Sequence, residues 1–230
     1  MKNLFMIFTF ISTTILFAQE PNKIKESVWG NHEKSKKIFT VPNLKDKIVN
    51  HKTIAILPFK VSILYKKTPK DYDPQIDRDE EIRLSFELQS KMYNYLSNSK
   101  EYYSVEILND DTTDIILNEH NMMGNAEDFT PQEIAKILGV DSVIYCTYTY
   151  SRLGSTAGAI GSELLQIAAF GFGDSKIATG ELTMDIYNGV DGELLWAFNK
   201  TMNQEALSSS ENIVNRMMSK VERNFPYTKK

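Results

Sequence analysis

The sequence predicts an α/β fold: a single mixed sheet flanked by helices, with a late antiparallel hairpin and a C-terminal helix. Three observations carry this. Short runs dense in Ile, Val, Tyr and Thr alternate with segments whose apolar residues recur at helical spacing. The link Asn188-Gly189-Val190-Asp191-Gly192, with two glycines, joins two late strand-like runs as a tight hairpin would. Finally, Ser208 to Asn224 sets Ile213, Val214, Met217, Met218 and Val221 along one helical face. With 230 residues, 42% apolar and 24% charged, the chain can bury a core without staples, and its composition is that of a globular protein.

Met1 to Gln19 comes first and lies outside this pattern. One basic residue, Lys2, precedes the uncharged run Leu4 to Ala18. At ~15 residues the run is short of the ~20 that span hydrocarbon as a helix, and polar Glu20-Pro21-Asn22-Lys23 follows. This is the profile of a signal peptide over residues 1–19, with cleavage expected near Ala18 or Gln19. The protein is therefore expected to be exported, periplasmic or secreted. It is not expected to be lipid-anchored, because no cysteine follows the apolar run. Residues 20–51 read as a Lys- and Asn-rich lead-in packing locally around Trp29, and residues 52–230 as the α/β domain.

Within that domain, Lys52 to Phe59 is an apolar run flanked by charge, so a buried strand. Pro58 must end or bulge it, since a central strand cannot spare that N–H, and Lys60 to Tyr65 continues beyond. After an acidic connection, Ile82 to Leu96 fits a helix, with Leu84, Leu88, Met92 and Tyr95 at helical spacing and Asp77 as its N-cap. Tyr102 to Leu108 reads as a short strand and Asp110 to His120 as a helix. Pro131 to Leu138 has every terminal signal of a helix: Thr130 as cap, proline first, Glu133 three beyond the cap and Gly139 as the stop. Ser142 to Tyr150, Lys176 to Tyr187 and Glu193 to Met202 are strands.

Catalytic, cofactor and metal sites are not expected. His32, His51 and His120 are far apart and form no short ligand pair. Cys146, the single cysteine, excludes an internal disulfide and a multi-cysteine metal site, and sits mid-strand where a thiol packs as a small apolar group. The acidic run Asp71, Asp73, Asp77, Asp79, Glu80 and Glu81 suggests calcium at first sight. However, Ile76 and Ile82 occupy the positions where an EF-hand needs glycine and a bidentate carboxylate, which leaves a solvated helix N-terminus. A net charge of −4 argues against nucleic acid as a partner. No enzymatic activity is expected.

Residues 153–173 form a Gly/Ala-rich insertion carrying Gly154, Gly158, Gly161, Leu164, Leu165, Phe170 and Phe172, with Glu163 as its only charge before Gly173. Its glycines after a strand could bring backbone N–H groups to a phosphate-containing small molecule at residues 154–161, although the spacing is neither the dinucleotide fingerprint nor the P-loop. Two further readings stand beside this: a loop and helix covering the sheet, or an exposed segment for self-association, protein contact or peripheral membrane contact.

Three segments resemble one group of envelope proteins. Ile54-Ala55-Ile56-Leu57-Pro58-Phe59 is similar to its opening strand, Leu138-Gly139-Val140-Asp141-Ser142-Val143-Ile144-Tyr145 to its entry into a central strand, and Asp191-Gly192-Glu193-Leu194-Leu195-Trp196 to its late hairpin. The group includes the curli-secretion channel subunit CsgG, the N-terminal domain of the Tol-Pal protein TolB, and small outer-membrane lipoproteins that assist transport or activate peptidoglycan synthases. The resemblance runs from about Lys52 to Asn224 and implies a non-enzymatic domain that binds an envelope protein partner or self-associates. The chain departs from the group in lacking a lipid-bearing cysteine.

Overall fold

A computed structural model shows a seven-stranded mixed sheet with helices on both faces. It describes residues 36–65, 68, 72–152, 178–203, 209–222 and 224–229. In chain order the elements are β1 (Lys36–Thr40), α1 (Leu44–Ile48), β2 (Thr53–Ile56), β3 (Lys60–Tyr65), α2 (Pro74–Asn98), β4 (Glu106–Ile107), α3 (Asp110–Glu119), α4 (Pro131–Leu138), β5 (Ser142–Arg152), β6 (Ala178–Asn188), β7 (Leu194–Asn203) and α5 (Ser210–Val221). Across the sheet the order is β1-β7-β6-β5-β2-β4, with β3 also beside β5. β5, β6, β7 and β1 are successively antiparallel, whereas β2 and β3 run parallel to β5.

Pro58 acts as its chemistry requires. β2 pairs Ile56 with Ile144, and β3 resumes by pairing Lys60 with Thr147, so Leu57 to Phe59 oppose only two residues of β5. The extra residue is a bulge, and it falls where proline has no N–H to donate. The helix from Pro131 forms the full capping box: Thr130 accepts from the Glu133 N–H, and the Glu133 carboxylate accepts from the Thr130 N–H at 2.7 Å. Gly139 ends it in the left-handed region at φ 68.

Three expectations are corrected. The helix expected to start after Asp77 begins at Pro74 with Asp73 as its cap, because proline supplies a preset first turn and the Asp73 carboxylate accepts the Gln75 N–H. Asp77 lies inside that helix, buried, taking a hydrogen bond from the Tyr65 hydroxyl at 2.8 Å. Tyr102 to Leu108 holds only the two-residue β4, preceded by a 3₁₀ turn at Lys100–Tyr102. Its backbone is shared between β2 and the C-terminal tail: the Glu106 N–H donates to the Lys52 carbonyl, and the Ser104 N–H to the Tyr227 carbonyl. Finally, residues 36–48, read as part of a locally packed lead-in, supply edge strand β1 and helix α1; Trp29 lies outside the described residues.

Strand alternation divides the interior into two cores. On one face, Ile54, Ile56, Ile144, Cys146, Tyr148, Tyr150, Leu182, Met184, Ile186, Trp196 and Phe198 meet Leu84, Leu88, Met92 and Leu96 of α2 and the predicted stripe of α5. The other face carries Ala55, Leu57 and Val143, covered by Leu117 of α3 and Ile134, Ala135 and Leu138 of α4.

Candidate functional site

Among the described residues, the second face is covered at one end only. Its apolar packing reaches Tyr145 on β5 and Tyr187 on β6, whose rings meet edge to face with centroids 5.2 Å apart, and goes no further along those strands. Beyond that line, β5 turns Thr147, Thr149 and Ser151 outward on this face, while Cys146, Tyr148 and Tyr150 turn into the other core. β6 does the same with Glu181 and Thr183 against Leu182 and Met184.

Registers align these side chains into rows. Lys60, Thr147, Thr183, Asn199 and Lys37 lie side by side across five strands, and Ser62, Thr149, Glu181 and Thr201 form the next row. Thr147 and Thr183 hydrogen-bond to each other through their hydroxyls, and the Asn199 amide donates to the Glu181 carboxylate at 2.6 Å. Every one of these residues keeps part of its surface in solvent. The result is a patch of small hydroxyl and amide groups on a five-strand backing, with a lysine at each end of its first row and Glu181 within its second.

β5 and β6 stay paired to Arg152 opposite Ala178, so the chain leaves and re-enters the patch at neighbouring points. Between them lie residues 153–177, outside the described part; all seven residues singled out for interaction, Gly154, Gly158, Gly161, Leu164, Leu165, Phe170 and Phe172, fall there, as does the phosphate reading of residues 154–161. Sequence reading passed over the patch itself, although a signal was present. Cys146-Thr147-Tyr148-Thr149-Tyr150-Ser151 alternates strictly, which marks one face as polar.

The three resemblance segments come together at the opposite end of β5. Ile54 pairs with Ser142, and the Gly189 N–H of the hairpin donates to the Asp141 carbonyl at 2.8 Å. Asp141 also binds the start of β2, its Oδ2 accepting the N–H groups of Lys52 and Thr53 at 2.7 and 2.9 Å. Burial opposes ionisation of Asp141 most strongly, but these two N–H groups, the nearby His51 and the Thr53 hydroxyl together hold the carboxyl below its ordinary range.

Near this point Ser142, His51 and Asp141 gather, three residue types that elsewhere form catalytic triads. Their bonds are spent otherwise. The Ser142 hydroxyl donates to the Tyr187 carbonyl at 2.6 Å, and His51 Nδ1 lies 2.8 Å from the hydroxyl of buried Tyr227. Burial lowers the His51 imidazole below its ordinary pKa, against the pull of Asp141. The cluster clamps the C-terminal tail to the start of β2 and β5.

The remaining candidates are held structurally. Cys146 is buried, and burial pushes its thiol well above the ordinary value, which removes the thiolate. His120 is exposed, its Nδ1 donating to the Ile116 carbonyl. In the acidic run, Asp73 caps α2, Asp79 accepts from the Gln75 amide, Glu80 pairs with Arg83, and Glu81 accepts the Ile63 N–H. Among the described residues, no helix is long and apolar enough to cross a membrane.

No family model and no curated protein matches the chain. Solved structures that it is similar to include lipoprotein GNA1162 from Neisseria meningitidis, at 12% identity and a TM-score of 0.43, covering 75% of this chain and 96% of that one. A PelC dodecamer from Paraburkholderia phytofirmans is 12% identical, with a TM-score of 0.39 and coverage of 85% and 99%. The C-terminal domain of LpoB from Salmonella enterica is 10% identical, with a TM-score of 0.33 and coverage of 70% and 93%. Likeness at this level transfers neither a residue role nor a partner to this chain.

Proposed function

We propose that the chain is an exported, non-enzymatic protein of the cell envelope that works by holding another envelope protein. The half-covered face of the sheet and the insertion at residues 153–173 together form the contact surface. One observation carries this reading: β5 and β6 present a rigid hydroxyl-rich patch and lead from its edge directly into the Gly/Ala-rich segment. The signal-peptide profile and the resemblance to the CsgG and TolB group support the compartment and the mode of action. Under this reading the protein is soluble there, since no lipid-bearing cysteine follows the apolar run.

Crosslinking in the native envelope, followed by identification of what is attached, tests it. Thr149 is a partly exposed surface residue, so Thr149→Arg should change stability by no more than about 0.5 kcal/mol, and Thr183→Arg, which gives up the hydroxyl bond to Thr147, by about 1 kcal/mol. The double variant should cut partner capture roughly tenfold by placing two unpaired charges in the contact. Deleting residues 154–173 should abolish capture and leave the thermal transition in place. Unchanged capture in both variants overturns the reading.

A further inference from the structure

The sheet finishes its edges in different ways. Along β3 the helix α2 takes up outward backbone groups: the Ile63 N–H donates to the Glu81 carboxylate at 2.8 Å, and just before the strand the Phe59 N–H donates to the Ser85 carbonyl at 3.3 Å. β4 is two residues long, a common way to blunt an edge. β1 has neither protection among the described residues.

Hydrogen-bond parity shows which groups β1 offers. The Val41 N–H donates to the Leu195 carbonyl at 2.9 Å, and bonded pairs recur at every second residue of an antiparallel ladder. Lys37 and Phe39, opposite Asn199 and Ala197, therefore turn their backbone groups toward β7. The N–H and C=O of Lys36, Ile38 and Thr40 point away from the sheet. Ile38, opposite Phe198, also leaves 37% of its surface in solvent.

We propose that this edge pairs with a second copy of the chain, β1 against β1, antiparallel about a twofold axis at Ile38. In that register each outward-facing residue exchanges both bonds with its opposite number: Ile38 with Ile38, and Lys36 with Thr40. Charge selects it. Sliding one step one way sets Lys37 directly across from Lys37, which is destabilising, and one step the other way leaves Lys36 without a partner in β1, whereas the Ile38-centred register sets Lys37 across from Phe39, whose ring can lie against the lysine stem and ammonium. It is also the register that pairs the whole strand. A contact this short buries less than the ~1,200 Å² of a standard interface, so the dimer forms at high local concentration and dissociates readily. This edge borders the hydroxyl-rich patch at Lys37, but its backbone pairing needs none of the patch's hydroxyl or amide groups.

The test is a disulfide scan of the full chain in its exporting cell. A bonded antiparallel pair places its Cα atoms about 5.5 Å apart, inside disulfide range, so Ile38→Cys should link two copies. Lys37→Cys lies off the axis, and Val190→Cys, at a residue 84% exposed, reports random collision. Native Cys146 is buried and supplies no competing thiol. Linked dimer should form about tenfold more with Ile38→Cys than with either control at equal oxidant. Sedimentation of the purified chain at rising concentration should show the association in the parent, and its loss in Ile38→Pro with the thermal transition kept, because the N–H removed points outward. Equal linking in all three cysteine variants, or association undiminished by Ile38→Pro, overturns the proposal.

Discussion

At Gly189 the structure leaves no room for a side chain. A Cβ there would lie 2.7 Å from the Ala135 Cβ, 2.9 Å from the Asp141 carbonyl oxygen and 3.0 Å from that of Val140. Two of these are backbone atoms that cannot step aside. Gly189→Ala should cost about 1–3 kcal/mol, read as a lower denaturant midpoint at constant slope. Gly139 makes the opposite case, with open space but φ +68, so Gly139→Ala should cost only about 1 kcal/mol, through backbone strain. His51 governs a different measurement. Its folded-state pKa is lowered by burial, so the folded chain binds fewer protons there than the unfolded chain. Its stability is complete above the unfolded value of about 6.5 and falls as the pH drops through it. Unfolding midpoints at about pH 5 and about pH 7.5 should differ in the parent, and the difference should shrink in His51→Gln.

At the scale of elements, local signals and packing agree in some places and part in others. The helix α4 was legible to the residue, because proline, cap, box and stop act within the chain and need no neighbour. In α2, Ile82, Leu84, Phe86 and Leu88 also alternate as in a strand, but the breaker-free run to Leu96 predicted the helix. The structure buries Leu84, Leu88, Met92 and Leu96 and exposes Ile82, which is the helical answer. Leu88 is 0% exposed in the core shared by α2, α5 and the sheet, so Leu88→Ala should cost about 2–5 kcal/mol by urea unfolding. β1 and β4 were misjudged for one reason. Both are short strands stabilised by partners far along the chain, and no local period announces such pairing.

For the whole molecule, the tail ties the C-terminal end to His51 before β2 and to the turn before β4. Phe225 is buried against Trp196 and Tyr227 against Phe225, and Lys229 donates its N–H to the Tyr102 carbonyl at 2.7 Å. Removing residues 225–230 takes two aromatic side chains out of the main core and frees His51. The thermal transition should fall by more than 10 °C, or be lost, at ~3–5 kcal/mol for each aromatic removed. A tail that merely trailed along the surface would leave the transition where it was.

What the amino-acid sequence determined by itself is the fold class, α4 from its cap, box and stop, the bulge at Pro58 and the hairpin at Asn188 to Gly192. Each of these follows from φ restrictions, a missing donor or a periodicity confined to a few neighbouring residues. Tertiary structure alone decided that α3 and α4 cover only one end of their face, that Ser142, His51 and Tyr227 form a clamp, and that β1 has no strand beyond it among the described residues. Those features depend on strand order and register, which come from burial and hydrogen bonding summed over residues more than a hundred positions apart.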